Sequence, residues 1–103
     1  MKDIKEDINI WEVTYRGLRI EPTLSANREL VREGKDLYDV LEILESGYIV
    51  KKRKKDIIEK ALRKGNKEFR AVIAKTQIQY PDGFIEYVWR LIHFGKIAYK
   101  KKR

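Results

Sequence analysis

The sequence predicts one α+β domain over residues 1–103: an N-terminal strand or hairpin, two short helices, then an antiparallel sheet of three or more strands with the helices packed on one face. Three observations carry this. Leu37, Val40, Leu41 and Leu44 repeat at i, i+3, i+4 and i+7 between Asp36 and Gly47, the pattern of an amphipathic helix. Alternating, β-rich segments follow residue 57, separated by the turn signals Gly65-Asn66 and Pro81-Asp82-Gly83. A length of 103 residues fits a single core that needs no staple.

Residues 8–23 alternate as a strand does, with Trp11, Val13 and Tyr15 on one face. Gly17 marks either a tight Arg16-Gly17 hairpin or a bulge in one long strand, and Pro22 ends the region. Thr23 or Ser25 caps a helix running to about Glu33, with Gly34 as its stop. Asp36 caps the second helix, Asp39 lies in its first turn, and Gly47 closes it at C′. Five like charges, Lys51 to Lys55, read as a loop. Helix propensity and the turn at Lys64–Lys67 disagree over 57–64; the turn is preferred, making a strand with Ile58 and Leu62 inward.

Residues 68–80 form the next strand, with Arg70, Val72, Ala74, Thr76 and Ile78 on one face and Phe69, Ala71, Ile73 and Lys75 on the other. In the strand over 84–94, Phe84, Val88, Ile92 and Phe94 share one face, and Ile85, Tyr87, Trp89, Leu91 and His93 share the other. Both faces are apolar, which predicts a central strand covered at least partly on both sides. Gly95 ends it, and 1–7 and 99–103 are expected to fray.

Charge is abundant and unevenly placed. Asp, Glu, Lys and Arg make up 39% of the chain, against about 25% in average proteins. The scarcity of Gln, Asn and Met beside abundant Lys, Arg, Glu and Ile suits a thermophile. Residues 1–50 carry a net −4 and residues 51–103 a net +12, giving the overall +8. Such an asymmetry points to a polyanion partner, RNA first. With no cysteine there is no disulfide, zinc-thiolate site or thiol nucleophile, which fits the cytoplasm. No stretch approaches the roughly 18–20 apolar residues of a membrane span, and the segment MKDIKEDINI lacks the apolar run of a signal peptide.

The motifs exclude more than they assign. There is no phosphate-binding loop, dinucleotide loop or nucleophile elbow, so no cofactor is expected, and one histidine makes a metal site improbable on composition. Metal-independent RNA cleavage needs groups that deprotonate a 2′-hydroxyl, stabilise a crowded phosphorane and protonate the leaving oxygen. Arg70, Lys75, Glu86, Tyr87, Arg90 and His93 are residues of those types in the C-terminal sheet. Arg90 and His93 are three positions apart, so they share a face only if a bulge or strand end intervenes. Phosphate docking falls to Lys51, Lys52, Arg53, Lys54, Lys55, Arg63, Lys64 and Lys67. Phe69 and Trp89 read as core, and Tyr80 as exposed.

The order strand, two helices, antiparallel strands resembles the RelE/ParE-like toxin superfamily. More narrowly, Tyr15 to Phe94 resembles the domain-of-unknown-function family 4258, related to the BrnT-type toxins. The resemblance is carried by Tyr15-Arg16-Gly17, Ser25-Ala26-Asn27, Arg28, Arg32, Glu33-Gly34-Lys35-Asp36-Leu37, Asp39-Val40, Leu44-Glu45-Ser46-Gly47 and the strand ending in His93-Phe94-Gly95-Lys96. It implies messenger-RNA cleavage and pairing with an antitoxin-like protein. It also implies charge-stabilising roles for Arg28, Arg32, Arg70 and Arg90, with Arg28 and Arg32 also among the nucleic-acid contacts. Similar sequences often place a histidine where this chain has Asn27, which puts imidazole chemistry at that position in doubt. Two other readings stand beside an endoribonuclease with Arg70, Arg90 and His93 as its catalytic set. One is a non-catalytic nucleic-acid-binding module. The other is a protein-interaction subunit using its acidic helices, for which a homodimer is compatible.

Overall fold

The computed structural model describes residues 12–52 and 54–98. In chain order they form β1 (Thr14–Tyr15), β2 (Leu18–Pro22), α1 (Leu24–Arg32), α2 (Leu37–Ser46), β3 (Tyr48–Lys52), β4 (Ile57–Lys64), β5 (Lys67–Gln79) and β6 (Ile85–Ala98). The six strands make one sheet in the order β1-β2-β6-β5-β4-β3. The architecture is the α+β arrangement anticipated, with both helices on one side. The sheet is mixed rather than wholly antiparallel, because β2 runs parallel to β6 from Ile20↔Trp89 to Pro22↔Leu91. Parallel neighbours require a long connection, and the two helices with β3 to β5 supply it.

Local chemistry sets the boundaries. Arg16 and Gly17 both have positive φ (51° and 82°), the signature of a two-residue type I′ turn, so the N-terminal segment is a hairpin and not one bulged strand. Thr23 caps α1 by accepting the Ala26 N–H at 3.1 Å. At the other end of α1, Lys35 N–H donates to Leu30 O and Gly34 N–H to Val31 O, a Schellman closure. Asp36 and Asp39 form a reciprocal capping box at the start of α2.

The end of α2 departs from expectation. Gly47 is extended (φ −83°, ψ −179°), not left-handed. Its lack of a side chain serves a close approach instead: a Cβ there would collide with the backbone carbonyls of Ala61 and Ile43. The helix therefore enters β3 directly against β4. Lys60 reinforces the junction, its Nζ donating to Leu44 O at 2.7 Å in the last turn of α2.

The core lies between helices and sheet. Ala26 and Leu30 of α1 and Val40, Ile43 and Leu44 of α2 meet Phe69, Ala71, Ile73, Trp89, Leu91 and Phe94, closed at one end by Val13, Tyr15 and Ile20. Phe69 and Trp89 are core, and Trp89 also donates its indole N–H to Tyr15 O at 2.9 Å. Segment 57–64 is a strand, paired along its length with β5, with Ile58 and Leu62 against the core. The face opposite the helices buries Ala61, Val72 and Val88, so β6 is covered on both sides over part of its length.

Three further expectations are corrected. Lys51 and Lys52 belong to β3, because pairing with Glu59 and Ile58 of β4 outweighs like-charge repulsion; Arg53 lies outside the described residues. Gly95 does not end β6, since β5 continues to supply partners, from Arg70↔Gly95 to Lys67↔Ala98. Phe94 does not share a face with Val88. Val72 pairs with His93 and Ile73 with Leu91, leaving Ile92 as an extra residue, and this bulge turns Phe94 into the core. The expectations for 1–7, Trp11 and 99–103 fall outside the described residues.

Replacing Gly47 by Ala should lower stability by about 1–3 kcal/mol, the usual cost of an inserted methyl that packed backbone must accommodate. Urea unfolding checks this, and an unchanged midpoint would show that α2 can move away from β4 without cost.

Candidate catalytic face and nucleic-acid interface

The Ile92 bulge reorganises the candidate functional residues. On β6, Glu86, Val88 and Arg90 point away from the helices; after the extra residue so do His93, Gly95 and Ile97. On β5 the same face carries Glu68, Arg70, Val72, Ala74, Thr76 and Ile78. Arg70, Arg90 and His93 therefore share one face. Arg70 stands opposite Gly95, making His93 its diagonal neighbour, a separation of about 7–8 Å. Lys75 and Tyr87 stand on the other, helix-side face and are separated from this group by the sheet.

Carboxylates position the guanidinium groups. Arg70 Nε lies 2.6 Å from Glu68 Oε2, and the Tyr48 hydroxyl donates to Glu68 Oε1 at 2.6 Å. Glu68 is only 2% exposed, and its charge is held between these two donors. Arg90 Nη2 meets Glu21 Oε1 of β2 at 3.2 Å, while its Nε is buried with no acceptor among the described residues. Glu21 also faces Arg19 at 3.5 Å, Arg19 pairs with Glu86 at 2.8 Å, and the Tyr80 hydroxyl donates to Glu86 at 2.7 Å. One polar chain thus runs from Tyr80 through Glu86, Arg19 and Glu21 to Arg90. His93 is exposed, and its side chain takes part in no hydrogen bond or ion pair among the described residues.

Within that chain, Arg19 first and Tyr80 second hold the Glu86 carboxyl below the usual range. The bond to Glu86 is the main reason the Tyr80 phenol is raised, and Glu86 likewise raises Arg19. For Glu86 the partners outweigh desolvation, whereas for Tyr80 partial desolvation adds to the effect of Glu86.

The residues expected to dock phosphate are spread over the fold. Arg28 and Arg32 are exposed on α1. Lys54 and Lys55 form the β3–β4 turn, whose Asp56 O accepts the Lys75 N–H at 2.9 Å. Arg63, Lys64 and Lys67 gather at the β4–β5 hairpin, the opposite end of β4, roughly 23 Å away at a strand's rise per residue. There Lys64 is paired with Glu42 at 2.6 Å, and Arg63 Nε donates to Gly65 O at 3.1 Å. Lys51 and Lys52 continue β3 toward the first of these two groups.

Sequence reasoning missed the partners Arg19, Glu21, Tyr48 and Glu68. Their signal was available only as parity: each alternates onto the face of Arg70 and Arg90 once strand order and register are known. No group of three or more His, Cys, Asp or Glu among the described residues is placed to hold a metal ion, and no helix among them is long and apolar enough to cross a membrane. The chain matches no family model, and it has no significant match among curated proteins or solved structures.

The Glu86 pairing predicts a pH dependence. Its folded pKa lies below the unfolded value, so its contribution to stability is complete above about pH 4.3 and is lost as pH falls through the lower folded value. In thermal melts, wild type should exceed Glu86→Gln near neutrality and converge with it in acid. A gap that stays constant into acid would show that the charge on Glu86 contributes nothing.

Proposed function

We propose that this protein binds RNA and cleaves it without a metal ion on the sheet face opposite the helices, as a RelE/BrnT-like endoribonuclease acting in the cytoplasm under the control of an antitoxin-like partner. The observation that carries this reading is the bulge at Ile92, which brings Arg70, Arg90 and His93 onto one face. In the cleavage step the His93 imidazole takes the proton of a 2′-hydroxyl as its oxygen bonds to phosphorus. The P–O5′ bond breaks and the leaving oxygen takes up a proton, giving a 2′,3′-cyclic phosphate and a 5′-hydroxyl. Arg70 and Arg90 stabilise the charge that builds on the non-bridging oxygens. Glu68 and Glu21 hold those guanidinium groups in place before substrate arrives.

A long single-stranded RNA incubated with the purified protein in a chelator should be cut to fragments with cyclic-phosphate ends. His93→Ala and Arg90→Ala should each slow this by about 100-fold or more, the usual scale for an acid–base or charge-stabilising group. Cutting by His93→Ala at the wild-type rate would remove His93 from the mechanism.

A second reading is favoured by the same ion pairs. Both arginines already have carboxylate partners, which suits a module that binds RNA and leaves it intact. Affinity would then fall with salt, and replacing Lys54 and Lys55 by Gln should lower the salt slope by about 1.4, at roughly 0.7 per phosphate contact on a single strand. A slope unchanged by both substitutions would place the phosphate contacts elsewhere.

A further inference from the structure

The catalytic face leaves unexplained a second cluster, on the helix side of the sheet beyond the reach of α1 and α2. Asp56, Lys75, Gln77 and Tyr87 line an open, polar groove there. Tyr87 is 48% exposed, although it stands on the same face of β6 as the buried Trp89 and Leu91. Its ring is not loose: Gln77, its cross-strand partner, donates Nε2–H to the phenolic oxygen at 2.9 Å. Lys75 Nζ stands 6.0 Å from the ring centroid. The bond from Lys75 N–H to Asp56 O joins the Lys54–Lys55 turn to this part of the sheet. Lys75 and Asp56 line the groove, and the exposed Lys54 and Lys55 precede Asp56 in the turn at its end.

An exposed ring, held at its hydroxyl, beside Lys75 and with the basic Lys54–Lys55 turn tied to the same part of the sheet, has the two components that unpaired nucleotides need. Bases stack on the ring, and ammonium groups meet the phosphates on either side. A duplex keeps its bases stacked on one another and offers nothing to the ring. We infer that Tyr87 is a base-stacking site for single-stranded RNA, with Lys75, Lys54 and Lys55 as its phosphate contacts, on the face of the sheet opposite Arg70, Arg90 and His93. This rests on the RNA reading above and adds to it a second binding site and a preference for unpaired substrate.

The test is fluorescence anisotropy with a labelled single-stranded oligoribonucleotide and with the same strand in a duplex, using the full chain, with thermal melts to verify folding. Tyr87→Ala should weaken single-strand binding by about tenfold or more and leave duplex binding unchanged, while Tyr87→Phe, which keeps the ring, should bind as wild type does. Wild-type binding that survives Tyr87→Ala overturns this inference and spares the RNA reading. Equal losses on single strand and duplex also overturn it. No binding of either RNA by wild type overturns both.

Discussion

Strand β6 must serve two neighbours and two faces at once. Along its first half it pairs parallel with β2 and antiparallel with β5, while Trp89 and Leu91 fill the core. Beyond Leu91 it loses β2, because Pro22 and Thr23 turn away into α1. The exposed edge is not left unsatisfied: Glu29 of α1 accepts the Phe94 N–H at 2.9 Å, and Lys96 pairs with Glu33 of the same helix. The extra residue Ile92 sits at this change of partner. Without it Phe94 would leave the core and His93 would enter it. Core packing and the arrangement of the polar face are therefore one constraint.

That constraint separates the molecule into two chemically different surfaces. On the face away from the helices, each arginine on β2, β5 and β6 has a carboxylate from a neighbouring position, so the guanidinium groups are oriented but partly neutralised. Burial of Glu68 makes its pairing with Arg70 costly to break, because the carboxylate would be left with one fewer compensating donor. On the other face, Lys75 beside Tyr87 shares its groove with a single acidic residue, Asp56, which leaves its charge available at longer range. A positive overall charge consequently says little about where a polyanion would sit.

The sequence was most legible where one local rule decided the outcome. Asp36 and Asp39, the apolar stripe of α2, the Gly65-Asn66 turn and the alternation of β5 each depend on neighbours within a few positions, and each is found as read. Over 57–64 the turn at Lys64–Lys67 decided correctly for a strand against helix propensity, and pairing on both sides holds it there. What escaped depended on distant partners. Gly47 looked like a left-handed cap, yet its role is set by Ala61. The bulge has no local signature, since Leu91, Ile92 and His93 carry nothing that marks an extra residue. Spacing shows that Arg90 and His93 meet only across a bulge or strand end, and the register decides for the bulge. The partners Glu21 and Glu68 were hidden for the same reason.

The parallel contact between β2 and β6 also bears on how the chain acquires its shape. The hairpins β3–β4, β4–β5 and β5–β6 close over short loops and can form as soon as each is present. Glu21 and Arg90, by contrast, meet across 69 positions, so ordering that contact early would cost a large loop entropy before any compensating burial. The β1–β2 hairpin and α1 must therefore remain undocked until the last strand exists. During synthesis the apolar side of α1, with Ala26 and Leu30, is exposed for nearly the whole passage of the domain from the ribosome.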